Sequence, residues 1–342
     1  METRKVQTVG NGTYTVSLPK TWAESHGLSA GDVVTLHDYV DGVLAVQARE
    51  RTGDEAPAAA RVESSDPAVI ERALRAAYAA GAREVAIERD GPLTPEARRV
   101  VERVARERIG MSVAAESEAG TTVRNMLDSE EVSVSQSLRQ LAFAVRSVHR
   151  DAVAALASPP DSPPIGSRDE QVDRLSAMVE RSVSCGMADL GEVDSLGKNR
   201  SELFESWTAM RELDRVRDAA AEIGDAAASL DEPPAEARLE ECRDIGDAVR
   251  EIVSDGVDVA LGDADVDVAR TAIGDRRRIR ERLDAFDRTL DDAQGDTASL
   301  RRVSRGLRRT AECGDRIAEV GLRRAVRCGE PIRDPAAERP NR

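Results

Sequence analysis

The stretch between Asp128 and Gly329 limits the fold most strongly, because its apolar residues recur at helical spacing over most of its length. Proline or glycine interrupts the pattern only at short gaps, for example at Pro159 and Pro160. The spacing predicts six helices, near residues 131–157, 167–193, 199–230, 234–261, 264–293 and 296–328. The order of the breaks implies an all-α domain over 128–329, with two three-helix repeats at 128–230 and 234–329.

Positive charge comes almost entirely from arginine, since only Lys5, Lys20 and Lys198 are lysines among 49 basic residues. The formal net charge is −15, and aromatic residues make up 2% of the chain. This composition is typical of a halophilic protein, kept soluble in concentrated salt, where the Debye length is about 3 Å at 1 M. Overall acidity therefore does not exclude nucleic-acid binding, and the local charges must decide.

The four cysteines, Cys185, Cys242, Cys313 and Cys328, form no C-x-x-C pair and fall within helical patterns. We therefore predict buried free thiols rather than disulfides or a zinc site. The sequence shows no N-terminal apolar run that resembles a signal peptide and no apolar stretch of 18 residues. These features predict a cytoplasmic protein without membrane insertion.

Residues 1–50 are predicted to form strands and turns. Alternating segments lie on either side of a glycine turn at residues 10–12, and a second pair lies on either side of Asp41 and Gly42. A short helix is predicted between the two pairs, opening at Pro19 and closing at Gly27.

This order of elements resembles the AbrB-like (SpoVT/AbrB) swapped-hairpin domain, over roughly residues 3–48. The resemblance implies a homodimer made by interleaved hairpins, and DNA binding. Size also favours dimerisation, because so short a hairpin fragment can hardly bury a core alone. Arg4, Lys5 and Lys20 are the candidate DNA-binding residues, since cations contact phosphates and two of the three lysines lie here. The alternative is that these residues are ordinary surface cations.

Residues 51–60 have the composition of a linker, and a small α/β domain is predicted over 60–127. Asp66 and Thr94 each precede a proline, which predicts the starts of two helices. The predicted strands lie at 84–87 and 111–114. We find no phosphate loop or catalytic pair here, so a structural or interaction module is expected.

Acidic residues form a stripe along the predicted helix around residues 213–225. Asp214 and Asp218 are four residues apart and so point into the same space on a helix. Like charges placed in this way repel unless a cation joins them. The pattern allows a cation site, and it equally allows a solvated acidic face.

Residues 128–329 resemble the PhoU family, whose members consist of two tandem three-helix bundles with acid pairs on the second and third helices. Asp169 and Asp173 match the second-helix pair of the first bundle, and Asp214 and Asp218 match the third-helix pair, which Glu222 extends. The resemblance implies a metal site at these five acids. Carboxylate oxygens suit Mg²⁺, Mn²⁺ or Ca²⁺, and ferric iron (Fe) is also compatible by hardness.

The second repeat departs from this pattern. Arg276, Arg280 and Arg308 stand where acids are expected, and only Glu312 remains. These arginines could bind an anion, since guanidinium groups match phosphate geometry. They could also pair with Glu312 or with neighbouring acids, which is the structural alternative.

The sequence therefore predicts a multidomain chain with an N-terminal swapped-hairpin β domain, a small α/β middle domain, all-α tandem three-helix bundles and a disordered tail at 330–342. The resemblances imply a DNA-binding transcriptional regulator that negatively controls phosphate uptake. The alternative is an adaptor that docks on a phosphate ABC transporter or signalling protein. No enzyme activity is expected, because the acids have no nucleophile or base beside them, and His149 is expected to be solvated.

Overall fold

A computed structural model describes residues 3–10, 12–38, 43–48, 60–88, 92–117, 120–158, 166–291 and 296–332. The chain divides into two compact units, Met1–Ala58 and Ala59–Arg342. The turn predicted at Asp41 and Gly42 lies outside the described residues, as does most of the predicted disordered tail.

The first unit consists of two antiparallel hairpins and a short helix between them, in the predicted order. Gly10, at a φ of +67°, begins the tight turn of the first hairpin, where a side chain would be strained. The elements are β1 (Gln7–Val9), β2 (Thr13–Thr15), α1 (Lys20–Ser25), β3 (Thr35–Asp38) and β4 (Leu44–Gln47).

The second unit opens with a mixed four-stranded sheet in the order β5-β6-β8-β7, in which only β5 and β6 are parallel. Asp66 and Thr94 cap the two helices as predicted, by accepting hydrogen bonds from the amides of Ala68 and Ala97. The elements are β5 (Ala60–Val62), α2 (Pro67–Ala79), β6 (Glu84–Glu88), α3 (Pro95–Glu107), β7 (Met111–Ser117) and β8 (Gly120–Asn125).

Helices account for most of the remaining chain, and the six predicted helices all have counterparts. The helix predicted at 167–193 is divided, because Asp189 accepts a hydrogen bond from the amide of Gly191 and caps a new helix. The observed helices are α4 (Val134–Ala154), α5 (Gly166–Ala188), α6 (Leu190–Ser195), α7 (Arg200–Ala228), α8 (Glu236–Leu261), α9 (Val266–Thr289) and α10 (Thr297–Arg327).

Two groups of three long helices pack against each other. Helices α4, α5 and α7 form the first group, and α8, α9 and α10 form the second. The groups meet where α10 packs on α7 and α4 packs on α8. None of the described helices is both long and apolar enough to cross a bilayer. All four cysteines are free thiols; Cys242 and Cys313 are buried, while Cys328 is exposed.

Arg181 of α5 attaches the sheet layer to the first helical group. Its buried guanidinium donates hydrogen bonds to the carbonyls of Tyr78, Ala82 and Gly81, at 2.9, 3.1 and 3.1 Å. Because these carbonyls lie at and just beyond the C-terminal end of α2, a cation there satisfies acceptors that the helix leaves open. The sheet layer and the helices therefore belong to one compact unit.

His149 is completely buried, so the expectation that it would be solvated is wrong. Arg250 Nη1 donates to its Nδ1 at 3.2 Å, because α8 packs across the face of α4 that carries His149. Burial, with a smaller contribution from Arg250, lowers the pKa of His149 to about 3. Its Nε2 has no hydrogen-bond partner among the described residues.

Gly256 sets the close approach of α8 and α10. A Cβ at this position would lie 2.9 Å from the carbonyl oxygen of Gly314 and 3.0 Å from the amide nitrogen of Ala318. We predict that Gly256→Ala lowers the free energy of unfolding by about 1–3 kcal/mol, because backbone atoms cannot move aside. Urea unfolding followed by circular dichroism measures the change.

Gly274→Ala is the matched control for this prediction. Gly274 is also helical, is exposed, and has no atom within 4 Å of an added Cβ. This variant should raise the free energy of unfolding by about 0.5–1 kcal/mol, because alanine has less chain entropy to lose. Equal effects of the two substitutions would contradict the assigned contact between α8 and α10.

Candidate functional site

The first unit leaves most of its large apolar side chains exposed to water. Leu36 of β3 is 58% exposed and Val33 is 87% exposed, and within the described part of this unit only His37 is buried. The other exposed apolar residues are Val6, Val9, Tyr14, Val16, Leu18, Val43 and Leu44. A surface of this kind marks an interaction site rather than the outside of a finished domain.

The predicted DNA-binding cations lie on the surface of the same unit. Arg4, Lys5 and Lys20 are exposed, and Lys20 is the first residue of α1. The ammonium of Lys20 lies 3.6 Å from a carboxylate oxygen of Glu24, with both side chains largely exposed. Such a surface pair contributes little, so Lys20 can exchange Glu24 for a phosphate at low cost.

Asp214, one of the predicted metal ligands, is mostly buried on α7. The hydroxyl of Ser176 on α5 donates a hydrogen bond to its Oδ1 at 2.6 Å. Burial raises the pKa of Asp214, and the hydrogen bond together with Arg217 and Arg211 offsets only part of this increase. The carboxylate is therefore already engaged within the protein.

Arg217 lies between the other acids of the first helical group. Its Nη1 is 2.7 Å from Asp173 Oδ1 and 3.5 Å from Asp169 Oδ1, and its Nη2 is 3.3 Å from Asp218 Oδ1. Burial lowers the pKa of Arg217, but the attraction of these acids outweighs burial and the net shift is upward. The structure thus brings Asp169, Asp173 and Asp218 together around a cation, and that cation is a side chain.

The residues as placed do not fit a resident metal ion. Glu222, the fifth predicted ligand, instead pairs with Arg309 of α10 at 2.8 Å. In the part of the chain that the structure describes, no group of three or more His, Cys, Asp or Glu side chains could hold a metal. Metal binding stays a prediction, and it requires the Arg217 guanidinium to leave the acids.

In the second helical group the substituted arginines contact neighbouring acids. Arg276 pairs with Asp315, which is buried on α10, and Arg308 lies 2.9 Å from Asp284 and 3.2 Å from Asp287. Arg280 is exposed, and Glu312 is half-buried. Arg276 and Arg308 thus pair with neighbouring acids, which is the alternative to anion binding given above. These acids do not include Glu312. The family pattern does not include Asp315, so the sequence gives no signal for this partner of Arg276.

Comparison with known families finds a match within the first unit. Residues 7–53 match the family model described as antidote-toxin recognition MazE, bacterial antitoxin. This match supports the AbrB-like domain predicted at the N-terminus, and domains of the AbrB/MazE kind bind DNA and form dimers. Searches of curated proteins and of solved structures each found no match. The PhoU resemblance of residues 128–329 therefore stays a prediction.

Removal of the Arg217 guanidinium should leave an acidic site that attracts metal. We predict that Arg217→Met gains binding of Mn²⁺ and lowers the free energy of unfolding by about 1 kcal/mol at low salt, because Asp169, Asp173 and Asp218 then repel one another. Equilibrium dialysis with metal analysis measures the uptake.

Arg215→Met is the matched control, since Arg215 lies on the same helix but pairs with Glu212. It should bind no more Mn²⁺ than the unsubstituted chain does. Uptake of Mn²⁺ by the unsubstituted chain, abolished by Asp173→Asn, would contradict the role given to Arg217 and support the metal prediction instead.

Proposed function

We propose that this chain is a homodimeric DNA-binding transcriptional regulator, in which the first units of two chains form one DNA-binding head. We also assign the helical part a role in sensing phosphate status. The observation that carries it is the exposed apolar surface of the first unit, within the segment that matches the MazE family model.

The apolar surface supports a dimer on physical grounds. Hairpins with strands of three or four residues are at best marginally stable alone in water. Each large apolar side chain that is covered contributes about 1.5–3 kcal/mol. A second copy of the same surface supplies that cover, and the interleaved hairpins implied by the family resemblance are one way to achieve it.

The cations of the first unit support contact with the DNA backbone. Lys5 and Lys20 are exposed, and they are two of only three lysines in a chain with net charge −15. Because a dimer presents each cation twice, a two-fold symmetric head places pairs of cations against the phosphates of one duplex. High salt weakens such contacts, so binding must be judged at a stated salt concentration.

The architecture of the helical part supports its proposed role in sensing phosphate status. It contains two three-helix groups, as the PhoU resemblance implies, and these groups pack against each other along α7 and α10. We assign this part to the control of phosphate uptake, by changing how the head binds promoter DNA. The alternative is an adaptor whose helical part docks on a phosphate transporter while the head only dimerises.

Leu36→Asp should convert the dimer into a monomer, because a carboxylate would be placed in a surface that the partner covers. Sedimentation velocity measures the mass of each species. Val326→Asp is the matched control, since Val326 is 62% exposed on α10 and Leu36 is 58% exposed on β3. A monomeric unsubstituted chain, or a dimer that survives Leu36→Asp, would contradict the dimeric head.

Lys20→Gln should weaken DNA binding about equally for all sequences and reduce the slope of log affinity against log salt by about 1 for each contacting chain. Gel-shift titrations on duplexes from promoters of phosphate-transport genes measure both quantities. The control is Arg305→Gln, which removes an exposed cation from α10. Unchanged affinity in Lys20→Gln, with dimerisation intact, would favour the adaptor.

A further inference from the structure

A small cavity lies at one end of the helical part, where α7 begins and where α8 and α10 end. Its volume is about 90 Å³, and its walls include Leu138 of α4, Ala260 and Leu261 of α8, and Arg324 of α10. The cavity therefore has room for one small polyatomic ion.

Lys198, just before α7, lines this cavity and is the only lysine of the second unit. Its side chain is half-buried, and the carboxylates of Glu202 and Glu205, which also line the cavity, attract its charge. Burial lowers its pKa, although Glu202 and Glu205 partly oppose this effect. Arg139 and Arg324 lower the pKa further, because like charges lie near this ammonium, and an anion between them would relieve that repulsion.

The acids beside Lys198 already have other partners. Glu202 Oε2 accepts a hydrogen bond from the amide of Asn199 at 2.9 Å, as part of the capping box of α7. Glu205 Oε2 lies 2.7 Å from Nη2 of Arg327. These bonds reduce the negative charge that an anion entering the cavity would meet.

Arg324 supplies a second cation, and Gly262 makes room for it. Gly262 ends α8 at a φ of +79°, and a Cβ there would lie 2.4 Å from Nη2 of Arg324. Glu330 Oε1 lies 3.6 Å from Nη1 of Arg324. The guanidinium thus lies against a glycine at the cavity wall, and it keeps N–H donors that can bind a ligand.

The geometry points to a binding site for one small oxyanion, of the class of inorganic phosphate or sulfate, held between the ammonium of Lys198 and the guanidinium of Arg324. A guanidinium binds two oxygens of such an ion side by side, and an ammonium neutralises its charge from the other side. The hydroxyl of Ser206, also at the cavity wall, adds a donor. The ion would join the start of α7 to the ends of α8 and α10, and so join the two helical groups.

Isothermal titration of the full chain with inorganic phosphate tests the site, in buffer with chloride as the only other anion. We expect saturable binding of one phosphate per chain, at least tenfold weaker in Lys198→Met, and retained within threefold in Lys198→Arg. Arg200→Met, which removes an exposed cation two residues away, should bind as the unsubstituted chain does. Circular dichroism confirms that each variant is folded, and Arg324→Met provides a second loss variant if Lys198→Met is not.

Competition by sulfate would support an oxyanion site, whereas equal competition by chloride at matched ionic strength would overturn it. No saturable heat from the unsubstituted chain, or unchanged phosphate affinity in Lys198→Met and Arg324→Met, would also overturn it. The site depends only on the helical part. Its failure therefore leaves DNA binding and dimerisation of the first unit intact, and a failure of those leaves the phosphate titration unaffected.

Discussion

The stability of the first unit depends on covering apolar surface that a single chain leaves in contact with water. Its strands and helix form from local signals, namely alternating side chains and a glycine turn at Gly10. Yet the described part of this unit buries only the side chain of His37. Local hydrogen bonds cannot replace a core, because covering apolar area is the main stabilising contribution in folding. The head that we propose therefore forms only in a dimer, and the dimer presents each of the proposed DNA-binding cations twice.

Arginine provides nearly all internal cations in the second unit. Its planar guanidinium donates several hydrogen bonds in fixed directions, which explains the contacts that these cations make. Arg181 contacts three carbonyls at and just beyond the end of α2, and Arg217 contacts three carboxylates from two helices. A point charge on a flexible stem could not satisfy several acceptors at fixed angles in the same way. The one lysine of this unit, Lys198, lies instead at the wall of a cavity, which is where we propose that an oxyanion binds.

Much of the fold could be predicted because its signals are local. The caps at Asp66 and Thr94 and the long helices follow from short-range patterns, and these were confirmed. Strand β8 was missed, because its buried face includes the polar residues Thr121 and Asn125, which give no apolar alternation. The burial of His149 was missed because it depends on α8, which follows much later in the chain.

The acid pattern shows where sequence reasoning about a site stops. The PhoU resemblance implies that Asp169, Asp173 and Asp218 lie close together, but it does not show that Arg217 turns toward them, because that direction depends on the packing of α5 against α7. Mapping the positions of this protein on its own genome at high and low phosphate tests the central claim most directly. The account predicts discrete promoter sites, including those of phosphate-transport genes, with occupancy that changes with phosphate. No enrichment at any site under either condition would contradict it.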